Sequence, residues 1–159
     1  MKKSGRRLAI LALAGIVLMA AIAYYAPWVK PINKEMLCFG ISEDGDVLSK
    51  GQIQLKSWKL DYLFKEDQLV LEDFSLPGIS TPKAFSLHSP LILMQNISPD
   101  YATGFVSDGS TLLSVQLSIQ ENYDTWLIKL DDKNIFVCVS DDTTAISQVL
   151  ETHKWLLKG

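Results

Sequence analysis

Leu113-Ser114-Val115-Gln116-Leu117-Ser118-Ile119-Gln120 alternates apolar and polar residues without a break, and Trp126-Leu127-Ile128-Lys129-Leu130 resumes the alternation after Glu121-Asn122-Tyr123-Asp124. Successive side chains of a β-strand point to opposite faces, so a period of two predicts two half-buried strands joined by a polar turn. The next run, residues 135–139, is apolar at every position and predicts a strand covered on both sides.

Outward from this segment the same pattern recurs with less regularity. Residues 36–41 form one expected strand, and Asp44-Gly45 and Asp108-Gly109 are strong two-residue hairpin signals. From residue 52 to 64 the apolar positions are first odd (Ile53, Leu55) and then even (Trp58, Leu60, Tyr62, Phe64). One register cannot bury both sets, so a bulge near residues 56–59, or a bend from one sheet to another, is expected. Pro77, Pro82, Pro90 and Pro99 punctuate the middle of the chain, where strands should be short or at edges.

The period changes at the C-terminus. On a helical wheel Ala145, Ile146, Val149, Leu150, His153, Leu156 and Leu157 fall in one arc, predicting an amphipathic helix over 143–158 that packs on the sheet. The fold class is therefore mainly β: an N-terminal transmembrane helix, then one antiparallel domain of about eight or nine strands and a C-terminal helix. A curved sheet, a partial barrel and a sandwich all fit the pattern.

The N-terminus has a different character. Residues 8–29 carry no charge, and about 22 residues at 1.5 Å each give roughly 33 Å of helix, enough for a hydrocarbon core of about 30 Å. The chain is 48% apolar overall but roughly 41% outside this run, an ordinary globular proportion. Only one such run exists, which excludes a polytopic membrane protein of helical type. Lys2, Lys3, Arg6 and Arg7 precede it, leaving 11 basic against 18 acidic residues after it, a net charge of −7. This asymmetry predicts a cytoplasmic tail (1–7), an anchor (8–29), a tether (30–35) and an extracytoplasmic domain (36–159). Tyr24, Tyr25 and Trp28 fit an interfacial aromatic belt. The alternative is a secreted protein, cleaved after Ala21-Ile22-Ala23.

An acidic exported domain is a poor partner for nucleic acid, which is excluded. No catalytic, metal or cofactor site is assigned. His88 and His153 have no ligand spacing, and no G-x-S-x-G, H-E-x-x-H or C-x-x-C pair occurs. Acidic clusters such as Glu43-Asp44-Gly45-Asp46 fall at expected turns and caps. The remaining candidates are aromatic: Trp58, Tyr62 and Phe64 share strand parity and would form a row for a ligand or partner, while Trp155 lies on the polar side of the helix. Cys38 and Cys138 sit in apolar strands and are expected as two free buried thiols. A disulfide would require the first and last strands to be neighbours, with Cα atoms within about 7 Å.

These readings predict a membrane-tethered binding or interaction module of the cell envelope, attached through its N-terminal helix, with an unknown envelope protein or ligand as partner. An exported hydrolase acting on envelope material and a β-barrel carrier of a small apolar ligand are the alternatives.

Overall fold

A computed structural model of the chain describes residues 2–42, 44–78, 83–94, 100–120, 122–131, 134–140 and 146–152. Helix α1, Lys2–Tyr25, is followed by ten strands: β1 (Trp28–Ile41), β2 (Val47–Asp61), β3 (Gln68–Leu71), β4 (Phe74–Leu76), β5 (Lys83–Leu87), β6 (Leu91–Met94), β7 (Asp100–Ser107), β8 (Leu112–Ile119), β9 (Thr125–Leu130) and β10 (Asn134–Val139). A second helix, α2, spans Ile146–Thr152. Within α1 the stretch Arg7–Tyr25 is apolar and long enough to cross a membrane.

The sheet is antiparallel, in the order β4-β5-β7-β6-β3-β2-β1-β10-β9-β8, and pairing of β7 with β8 closes eight of the strands into a barrel. Where the strands pair all round, closure removes the exposed edges that an open sheet would present, leaving the first part of β1 and the outer side of β4. The two further strands extend the walls: β5 pairs β4 on one side and β7 on the other, close to the register in which β6 pairs β7. Thus β5 and β6 lie along one line, broken at His88-Ser89-Pro90, where proline cannot continue a ladder.

An eight-strand barrel is just wide enough for side chains to fill. Its inner faces, joined by Phe74 of β4, form one apolar cluster that includes Met36, Leu55, Leu69, Leu91, Leu117, Trp126 and Phe136. Gly104 faces inward on β7 against Leu91, where a Cβ would collide with the Leu91 side chain. A second cluster lies outside the barrel wall. Ile41, Leu127, Ile135, Val137 and Val139 are covered by Val149, with Ile146 and Leu150 at its margin. This explains why residues 135–139 are apolar at every position: one parity fills the barrel and the other seats α2. Of the helix expected over 143–158, residues 143–145 and 153–158, including His153 and Trp155, lie outside the described residues.

Three expectations are corrected. Residues 30–35 are not a tether: β1 starts at Trp28 and runs in register with β2 from Trp28↔Asp61 onward. Pro31 is accommodated because β10 joins β1 only at Leu37, leaving the earlier part of β1 an edge. There is no bulge at 56–59 either. The β1–β2 register is continuous over this stretch and shifts only between Gly40 and Ile41.

Finally, Cys38 and Cys138 are joined by a disulfide, not free. Closure makes the first and last strands neighbours, and the register sets Cys38 directly opposite Cys138 with Cα atoms 3.9 Å apart. Both residues are fully buried within the barrel.

Candidate functional site

The uninterrupted β1–β2 register gives the phase change near Trp58 another meaning. The odd positions of β2 keep pointing inward: Ile53 and Leu55 are buried in the core, Ser57 is buried behind them, and Lys59 and Asp61 follow. The barrel lumen thus turns from apolar to charged at the end where α1 enters. Ser57 remains satisfied because its hydroxyl donates to the Ile32 carbonyl at 3.1 Å.

Register sets Lys30 of β1 opposite Lys59 of β2, and two like charges facing each other across a ladder destabilise it. Asp61 resolves the conflict. Its carboxylate lies 2.5 Å from the Lys30 ammonium and 3.2 Å from that of Lys59. Asp67 adds a second carboxylate 3.7 Å from Lys59. Asp67 is buried, and it also organises the β2–β3 loop, since its Oδ1 accepts from the Tyr62 amide at 2.8 Å and its backbone carbonyl accepts from the Leu93 amide at 2.9 Å. Lys34 further along β1 reaches the β8–β9 turn, 2.6 Å from Asp124, and bridges the open edge of β1. Tyr123 in that turn adopts a left-handed backbone, φ 56°, and its carbonyl accepts from Trp126 Nε1 at 3.0 Å.

These contacts set the charge states. Burial raises the Asp61 pKa, but ion pairing with Lys30 and Lys59 overcomes it and holds the carboxyl below the ordinary range. Burial likewise opposes the charged form of Lys59, yet Tyr123, Asp61 and Asp67 outweigh it and raise the ammonium's pKa. Burial raises the Tyr123 phenol. Each group is driven deeper into its charged or neutral form at neutral pH. General acid–base catalysis works best with a pKa near the operating pH, and the shifts of Lys59 and Asp61 lead away from it toward a fixed ion pair.

The aromatic row is dispersed. Trp58 is half-buried on the outer face of β2, opposite Pro31 and Val70. Tyr62 lies past the strand end, where its hydroxyl is 3.4 Å from Gln68 Oε1 and Lys65 Nζ sits 3.8 Å above its ring. Phe64 is 67% exposed in the loop and stacks on Tyr24 of α1 at 6.2 Å. The three do not share one strand face, because β2 ends at Asp61. Trp155 lies outside the described residues.

Asp44, Asp46, Asp108 and Asp131 lie in turns at the opposite end of the barrel, whereas Glu66-Asp67 lies in the β2–β3 loop beside the rim. Gly45 and Gly109 have φ near 90° and supply the left-handed positions those turns need. Asp108 Oδ1 accepts from the amides of Thr111 and Ser110, and these bonds hold its carboxyl well below the usual range. Among the described residues no three His, Cys, Asp or Glu side chains gather as metal ligands would. His88 is exposed.

Sequence reasoning missed Lys59 and Asp61. A signal for them exists: they occupy the odd positions that continue the inward phase of Ile53 and Leu55, but a change of polarity along a strand mimics a change of face. No family model, curated protein or solved structure matches this chain.

Proposed function

We propose that the protein is a membrane-tethered extracytoplasmic module that presents the charged rim of its barrel at the cell envelope and acts by binding. One observation carries the compartment. A disulfide between the barrel's terminal strands belongs to proteins exposed to an oxidising environment, which supports export of the domain. The flanking charges then orient α1 with its basic N-terminus in the cytoplasm. The connection from α1 to β1 is short, Ala26-Pro27, so the rim bearing Lys30, Lys59, Asp61 and Asp67 would stay close to the bilayer. Fixed opposite charges suit recognition of a polar partner by complementarity. The shifts at Lys59 and Asp61 run away from neutral pH, which supports a binding role over proton transfer at this rim.

Two measurements on the full chain test the proposal. Protease added to intact cells should digest the barrel and leave a membrane-bound fragment; a protected barrel refutes the orientation. A photo-crosslinking residue at Trp58 should give a discrete adduct that one at Ser110, at the opposite end, does not. Adducts equal at both ends, or absent from both, refute a rim-centred module. A mature chain beginning near Tyr24 would replace the anchored protein with a secreted one.

A further inference from the structure

The rim that receives α1 is also where large apolar side chains gather in the open. Trp28 is 71% exposed and Val29 56% at the start of β1; Leu63 is 63% exposed and Phe64 67% at the tip of the β2–β3 loop. Isolated exposed apolar residues need no explanation, but four of them on one rim, two at a loop tip, form a surface that water disfavours. Asp67 gives the loop a defined shape by accepting from the Tyr62 amide. Phe64 is held against Tyr24, in the last two residues of the apolar helix. The patch is therefore continuous with the apolar surface of α1, and exposed Lys30 and Lys65 flank it.

Apolar tips, aromatic residues at the helix end and adjacent lysines are the composition that settles at a lipid interface, where rings and acyl chains meet and ammonium groups reach phosphates. The opposite end of the barrel carries Asp44, Asp46, Asp108 and Asp131 in its turns, a composition that an anionic bilayer repels. We infer that the β2–β3 loop, with Trp28 and Val29, inserts into the outer interface of the bilayer that α1 crosses. The barrel then stands on the membrane by two contacts instead of swinging from one, with its charged rim at headgroup level. This rests on the anchored reading of α1.

The test uses the full chain, disulfide intact, reconstituted into phosphatidylcholine–phosphatidylglycerol vesicles. Spin labels are placed singly at Leu63→Cys, Ile16→Cys and Ser110→Cys, and relaxation by oxygen is compared with that by a water-soluble nickel complex. Insertion predicts the Ile16 label in the hydrocarbon, the Ser110 label in water, and the Leu63 label about 5–10 Å below the headgroups, the depth typical of interfacial segments. Adding Phe64→Glu should move the Leu63 label toward water and leave the Ile16 label in place. A Leu63 label as open to nickel as the Ser110 label, with the Ile16 label still deep, overturns the insertion and spares the anchor. A Leu63 label shielded from both reagents means that protein covers the loop, and overturns it as well. A Leu63 label unmoved by Phe64→Glu shows that the loop follows the helix passively, which also overturns the insertion. An Ile16 label in water, or lost with a cleaved segment, defeats the anchored reading itself.

Discussion

Replacing both cysteines with alanine should produce a large loss of stability. Cys38 and Cys138 are 100 residues apart, so their bond removes conformations from almost the whole unfolded domain. In the chain-entropy treatment a loop of that length contributes about 4.7 kcal/mol, within the 2–5 kcal/mol typical of removing native disulfides. Against a total of roughly 5–15 kcal/mol this is a large fraction. An unfolding entropy of about 2.1 cal/mol/K per residue over about 130 residues turns the same figure into a Tm decrease of roughly 17 °C. Urea melts of the full chain in detergent, followed by fluorescence of the fully buried Trp126, would measure it. The bond is enclosed by the barrel, so a reductant should leave the native protein oxidised and act only once denaturant opens it. Reduced wild-type protein should then melt close to the double variant. A loss below about 1 kcal/mol, or free thiols in unreduced, unfolded protein, would refute the link between closure and stability.

Four other outcomes follow from the core and the rim. Trp126→Ala should cost about 3–5 kcal/mol in denaturant melts, because it empties a filled barrel layer and removes the bond to the Tyr123 carbonyl. Gly104→Val should cost about 1–3 kcal/mol by overpacking against Leu91, whereas Gly104→Ala, meeting only the flexible end of that side chain, should cost less in the same melts. The folded-state pKa of Asp61 is lowered, so its contribution is present above the ordinary aspartate range and is lost as pH falls through the folded value; Asp61→Asn should flatten the acid limb of a stability–pH profile. Lys59, whose pKa is raised, contributes below the ordinary lysine value and loses that contribution as pH rises through the folded one, so Lys59→Met should flatten the alkaline limb.

Strand identity was legible from alternation, although β9, expected half-buried, is buried on both faces, its outer side contributing Leu127 to the second cluster. Residues 112–130 announce two strands by alternation alone, because side-chain direction in a strand is a local property of the backbone. The apolar character of 135–139 likewise implied cover on both sides, and Val149 supplies the outer cover. The apolar length of Arg7–Tyr25 is a property of composition and was visible at once.

What stayed hidden depends on partners distant in sequence. Whether β7 meets β8 while β10 meets β1, and so whether the sheet closes, is decided by pairings that no local period records. The disulfide follows from that closure, which is why apolar flanks alone pointed to free thiols. The charged rim was obscured for a related reason. Alternation shows that a face changes polarity, and only the β1–β2 register shows whether the strand has turned or the environment has; here Lys59 and Asp61 still face inward, and the lumen itself turns charged toward Lys30, at the end where α1 joins β1. Sequence by itself therefore determined the alternating strands of residues 112–130 and the apolar helix, and not the start of β1 or the course of β2. Tertiary structure decided which faces meet, because closure and ion pairing are free energies of groups brought together from opposite ends of the chain.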